Sequence, residues 1–386
     1  EECVGFFQKR PNTGMTDLPH VPELDIRILS RVFGNVTNSY KILFFQALLA
    51  VSRREINDKQ LVVDIDDIGV EMLALAWYPH IYFRLSFGLQ DQIGLVLDSL
   101  DFGVGSHSAA GNAETQQRLR QAIADQWNRI GGPKLLRYVP FRLLSPFFED
   151  RLRGIPDGQK NTQIAELSQQ HFEERKPLYS LGIEGRHLQL HPQWHRYLRD
   201  NASIVEGWAK WHWTRYLQTR NPNVPAIPEK LSPPSVRTTL NAPRAYWRQV
   251  LEAERFNCIY SGCQLHPDEF ELDHFIPWSF VCHDRPWNLI PVTPRVNAMK
   301  SNWLPDKNYV SAFIDSQNHW LRVWRETVTE RKWHRTTEPY LMDLHLTHEA
   351  LLEEDSLKEA YENVLSPLFQ LAKQIGFKGN WIYQRS

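Results

Sequence analysis

Cysteine is scarce, with four in 386 residues. That excludes a disulfide-built scaffold and fits a reducing cytoplasm. Excess charge of one sign is also missing. The 44 Lys and Arg nearly balance 45 Asp and Glu, for a net of −1. No global basic field therefore draws in nucleic acid, and any such binding must rest on local patches or on a partner. No long apolar run is present. The longest, near Ile42 to Val51, is interrupted by Gln46 and is too short to span a membrane, so no membrane partner is expected. No signal peptide is read at the start, which lacks Met. No period of 20–50 residues recurs, which excludes a repeat solenoid. The remainder is ordinary for a soluble globular protein, at 42% hydrophobic and 23% charged residues. The length suits two or three domains. Tryptophan is the exception, used 14 times.

The stretch from Cys258 to Pro305 organises the chain. Glu269 to Asp273 alternates polar and apolar residues and predicts a short strand with Phe270 and Leu272 on one face. Asp273 and His274 lie at its end, and Pro277 soon after predicts a turn. Trp287 to Val292 predicts a second short strand, with Pro291 marking an edge or an end. Pro294 predicts a helix start, and Arg295 to Ser301 the helix, where Asn297 and Lys300 share a face. Strand, loop, strand and helix can bring Asp273, His274, Asn288 and Asn297 together.

Those residue types suit phosphodiester hydrolysis. The Asp273 carboxylate and the Asn297 amide carbonyl are hard oxygen donors that suit Mg²⁺ or Mn²⁺ better than Zn²⁺. Neutral His274 can take a proton from water. Asn288 is read as orienting the His274 ring, and Lys300 as a point charge for a phosphate. Taken singly, each residue also reads as a turn, a cap or a solvated pair. The joint spacing favours the site.

The same residues carry a family resemblance. Asp273-His274, Pro277, Ser279-Phe280, Asp284, Asn288, Asn297, Lys300-Ser301 and Pro305 stand at the spacing of an HNH nuclease, a ββα-metal fold. The segment most resembles the HNH domain of type II CRISPR effector nucleases. The resemblance implies a metal-dependent DNA endonuclease in which Asp273 and Asn297 hold the metal and His274 activates water. It implies 5′-phosphate and 3′-hydroxyl products and one cut strand per site. Arg295 departs from the pattern, standing where the family carries an acid, so no further carboxylate is expected there. Many relatives also carry paired C-x-x-C knuckles. Here Cys258, Cys263, Cys282 and His283 are the only candidates for a structural Zn²⁺, and the second clean pair is missing. The favoured reading packs Cys258 and Tyr260 under a hairpin turned by Gly262.

Elsewhere helices dominate. Leu24 to Phe33 follows a helical period that Gly34 ends, and Tyr40 to Arg54 predicts a helix buried on most sides. Asp64, Asp66 and Asp67 read as helix-start caps rather than metal ligands. Residues 77–88 are aromatic and read as core before base-stacking box. Helices are expected over Leu89 to Leu100 and Ala113 to Ile130, and Leu135 to Leu152 is apolar and aromatic, closing at Gly154-Ile155-Pro156. Residues 1–22, 101–112 and 157–161 are expected to be irregular. Trp194, Trp208, Trp211 and Trp213 form a stripe among Arg and Lys. It reads as core before nucleic-acid surface. The runs Asn38 to Phe45 and Glu71 to Pro79 resemble the amino-terminal region of uncharacterised bacterial HNH proteins, some of them linked to antiviral defence.

Five of the 24 prolines fall between Asn221 and Pro234, which predicts a linker. The expected organisation is a helical domain over 1–220, a linker over 221–234 and an HNH domain over 235–386 with its core at 256–305. A helix from Ser235 to Phe256 would lead in. The fold class is mainly α with a small α+β part. His319 to Arg335 is basic and follows the site, so Arg322 and Arg325 join Arg295 and Lys300 as expected phosphate contacts. Residues 376–381 read as a tail that docks back. DNA is the expected partner, with a guide RNA, a defence-complex protein or a second copy left open. The competing reading is a nucleic-acid-binding or complex subunit whose HNH unit is a scaffold.

Overall fold

The computed structural model describes residues 18–54, 62–102, 111–182, 186–234 and 240–384. Part of the expected irregular stretches (1–17 and 103–110) and the start of the expected lead-in helix (235–239) lie outside them. The fold is mainly helical with two small sheets. The chain divides into two compact units.

The first unit contains the described residues of Glu1–Ala76, Gly88–Leu100 and Arg120–Tyr216. The helix Tyr40–Arg54 buries eight residues, as its nearly unbroken apolar composition requires. The strands β1 (Val62–Asp64), β2 (Tyr179–Leu181) and β3 (His187–Leu190) form an antiparallel sheet in the order β1-β3-β2. The Asp64 carboxylate accepts from the Asp66 amide at 2.8 Å, so this acid cluster caps the helix Ile65–Trp77. The Trp stripe is mostly core: Trp194, Trp208 and Trp213 are buried and only Trp211 is exposed. The short helix Gly132–Leu135 opens the apolar stretch, and Val139–Leu143 and Ser145–Phe148 follow within it. Pro140 and Pro146 each restart the chain at a first turn, because proline lacks the amide that a continuous helix needs. Residues 157–161 are not a loop but a 3₁₀ turn leading into the helix Lys160–Gln170. The Arg142 guanidinium holds this turn through Asp157 at 2.8 Å and Asn161 at 2.9 Å.

The second unit contains the described residues of Trp77–Phe87, Asp101–Leu119 and Leu217–Ser386. Its centre is a two-stranded antiparallel sheet of β4 (Glu271–His274) and β5 (Leu289–Val292), in the register Glu271↔Val292 through His274↔Leu289. The helix Pro294–Lys300 follows directly. Two strands alone are marginal in water. Here they are braced by the helices Asn241–Ala253, Tyr309–Thr327, Glu330–Leu344 and Glu354–Gln374, which share one apolar core with them. Pro291 leaves β5 one amide short. The Gln317 amide donates to the Leu289 carbonyl of the same strand at 2.7 Å, and the Tyr340 hydroxyl donates to Gln317 at 2.7 Å. Trp320, Trp324 and Trp333 are buried in this core. The tail docks as expected: Leu304 donates to the Lys378 carbonyl at 2.8 Å, and Asp306 to Trp381 at 2.9 Å. Residues 77–88, expected to be core, bury Trp77, Tyr78, Tyr82, Phe83 and Phe87. Within the expected linker, Ile227–Lys230 is a 3₁₀ turn whose Ile227 and Lys230 are buried.

Candidate active site

Side chains alternate along a strand, so Glu271 and Asp273 of β4 share one face. Asp273 is only 3% exposed. Its carboxylate accepts from the Lys300 ammonium at 2.9 Å and from the Tyr260 hydroxyl at 3.1 Å. Burial pushes the Asp273 carboxyl up and the Lys300 ammonium down, and the contact between them opposes both shifts. Tyr260 reaches Asp273 from the hairpin that Gly262 turns at φ 72°. The Cys258 amide closes that hairpin on the Cys263 carbonyl at 2.8 Å.

His274 ends β4. Its Nε2 lies 2.8 Å from Asp284 Oδ1. With a carboxylate accepting from Nε2–H, the lone pair of the neutral ring sits on Nδ1. Asp284 reaches this position because the helix Trp278–Val281 stops at Cys282, whose φ of 55° turns the chain back. Next to it, burial lowers His283 to about 4 and keeps it neutral at physiological pH. On the following helix the Thr293 hydroxyl caps the Val296 amide and Pro294 takes the first turn, as expected. Asn297 then faces β4, and its Nδ2 donates to Glu271 Oε2 at 2.6 Å. The Asn297 carbonyl oxygen is left as an acceptor.

Glu271, Asp273, His274 and Asn297 line one cleft of about 640 Å³, with Trp278 and Arg244 on its walls. Three of these four were expected together. Glu271 was missed, although it stands two residues before Asp273 in a strand and period two puts both on one face. Asp284 was part of the motif but had no role assigned. Arg244 carries no local signal.

Other expectations are corrected. Asn288 does not orient the His274 ring. It is fully buried, and its amide accepts from the Ile276 amide at 2.8 Å and donates to the Ile276 carbonyl at 2.9 Å, which ties β5 to the loop after β4. Lys300 has no exposed surface, so it offers no charge to a phosphate; its ammonium serves Asp273 and the His274 carbonyl. Arg295 is exposed but does not line the cleft. Neither do Arg322 and Arg325 on the helix Tyr309–Thr327. Arg322 faces Glu354 at 3.9 Å, and Arg325 lies over the Trp333 ring. No group of three or more His, Cys, Asp or Glu side chains gathers as a metal cage among the described residues. Of the four residues weighed for a structural Zn²⁺, Cys258 is buried in the hairpin as the favoured reading has it, Cys263 is exposed and Cys282 is half-buried.

The cleft still suits a hard divalent ion. Mg²⁺ and Mn²⁺ are commonly held by one or two carboxylates, with water and substrate phosphate completing the shell, so no all-protein cage is needed. Glu271, Asp273 and Asn297 supply oxygen donors only. Asp273 uses two of about four lone-pair positions on Lys300 and Tyr260, which leaves it capacity.

Residues 258–306 match the family model of the HNH endonucleases. The matched HNH segment begins at the hairpin and ends one residue after Pro305, so it contains every cleft residue from Glu271 to Asn302. Arg244 and Leu240 enter the cleft from outside it. No curated protein and no solved structure matches the chain.

Proposed function

We propose that this protein is a divalent-metal-dependent DNA endonuclease that hydrolyses phosphodiester bonds in the HNH cleft. One observation carries the reading. A histidine fixed by a carboxylate on one ring nitrogen shares a cleft with an all-oxygen donor set. His274 Nδ1 takes the proton of an attacking water, and Asp284 steadies the ring as it becomes charged. Glu271, Asp273 and Asn297 would hold the ion, which when bound offsets charge on the phosphate. Lys300 keeps Asp273 in place from behind. Asn288 fixes the loop that follows His274.

The net charge of −1 supports a second reading, in which a guide RNA or a defence-complex protein presents the strand. The resemblance of 38–45 and 71–79 to uncharacterised bacterial HNH proteins, some of them linked to antiviral defence, is what favours a bacterial antiviral setting. The test is incubation of the purified chain with supercoiled plasmid and Mg²⁺ or Mn²⁺, with excess chelator as the control. Nicked circles that form only with metal support the stand-alone enzyme. Cutting that requires a co-purified RNA or protein supports the second reading. Nicking that persists in chelator contradicts both.

A further inference from the structure

Several arginines elsewhere on this chain face carboxylates, as Arg54 and Arg120 face Glu71 and Arg175 faces Asp150. Three cations at the rim of the HNH cleft differ. Arg244 lines the cleft and lies over the Phe270 ring. Arg84 and Lys378 line a small notch of about 50 Å³ with Trp303, and Lys378 lies over the Trp303 ring at 5.1 Å. Among the described residues none of the three has an acidic partner. Asn302 lines both the cleft and the notch, so the two adjoin.

The notch is built from three separate segments of the same unit, around Arg84, Trp303 and Lys378. Arg84 sits at φ 61°, a conformation that a bulky residue rarely adopts, where the chain leaves the π-turn Tyr78–Tyr82. The ring of its neighbour Phe83 approaches that of Trp278 on the cleft wall, with centroids 6.5 Å apart. Lys378 is held from the other side, because its carbonyl accepts from the Leu304 amide. The notch is small, at about 50 Å³, against about 640 Å³ for the cleft. No carboxylate lines it to repel an anion.

We propose that Arg84 and Lys378 form a phosphate subsite beside the HNH cleft, holding the backbone of the nucleic-acid strand whose neighbouring phosphate is cut. The inference rests on the nuclease reading above. It gives the segment Trp77–Phe87 a substrate-binding role that the HNH motif does not contain.

The test measures DNA binding by fluorescence anisotropy over a salt series. It uses the full chain carrying His274→Ala so that nothing is cut. Arg84→Gln with Lys378→Gln should lower affinity at least tenfold at low salt. The slope of log affinity against log salt should shrink by about 0.7–0.9 for each phosphate that is no longer neutralised. The charge-keeping pair Arg84→Lys with Lys378→Arg should retain the parental slope, and Arg322→Gln, outside both cavities, should also leave it unchanged. A Gln pair that binds with the parental slope overturns the subsite. So does a weakening that the charge-keeping pair suffers equally, since packing and not charge would then be responsible. A parent that binds no DNA at any salt removes the stand-alone nuclease reading on which the subsite rests, a result distinct from the other two.

Discussion

Lys300 shows how a residue type can be read correctly and its role misjudged. A lysine one helical turn after Asn297 suits a phosphate contact, but its ammonium is spent on Asp273 in the core. Replacing it with Met would leave the buried carboxylate unpaired, and the cost should be about 3–5 kcal/mol of stability by denaturant unfolding. A surface phosphate contact would cost almost nothing in that measurement. Asp284 makes the complementary case. Asp284→Ala should lower kcat about a hundredfold or more while DNA affinity holds, because the ring loses its anchor but not its place. His283 adds a pH dependence. Its folded value of about 4 lies below the ordinary 6.5, so the unfolded chain binds more protons between those limits. Stability should therefore fall as pH drops from 6.5 towards 4, by up to about 3 kcal/mol. His283→Gln should flatten that part of a thermal-midpoint profile. An unchanged profile would contradict the burial of a neutral ring. Donor types and spacing were legible at this scale; partners were not, since Glu271, Tyr260 and Asp284 find theirs only after the chain folds.

At the scale of elements, the strand–strand–helix order of the HNH segment was legible to within a few residues. Alternation at 269–273, Pro291 and the Pro294 start each leave a local mark. Elsewhere such marks were absent or misleading. The stretch 135–152 was legible only as apolar and aromatic; its division into short helices that start at Pro140 and Pro146 was not read. β2 is three residues long and buried throughout, so it shows no alternation to read. Asn288 joins the two kinds of evidence: a motif residue whose work is to tie β5 to the chain after β4. Asn288→Ala would leave the Ile276 amide and carbonyl unpaired in the core. That should cost about 2–3 kcal/mol in denaturant unfolding. Cleavage should fall more than DNA binding, because the loop holding His274 loosens.

At the scale of the molecule, the second compact unit is not one run of sequence. Trp77–Phe87 belongs to it, and the Ser86 amide and carbonyl both bond the Asn221 side chain at 2.9 Å. Proline content alone placed a boundary at 221–234 and could not reveal this return. A fragment of residues 235–386 lacks those bonds. It should unfold roughly 5 °C or more below the full chain in a thermal melt; an equal midpoint would show that the earlier segments add nothing. The central claim is that the cleft around His274 and Asn297 cuts DNA. It is tested most directly by single-turnover plasmid nicking in Mg²⁺ or Mn²⁺, comparing the wild type with His274→Ala, Asn297→Ala and the off-cleft control Arg322→Ala. The account predicts metal-dependent nicking that falls at least a hundredfold in both cleft variants and is kept in the control. Full activity in His274→Ala would contradict it.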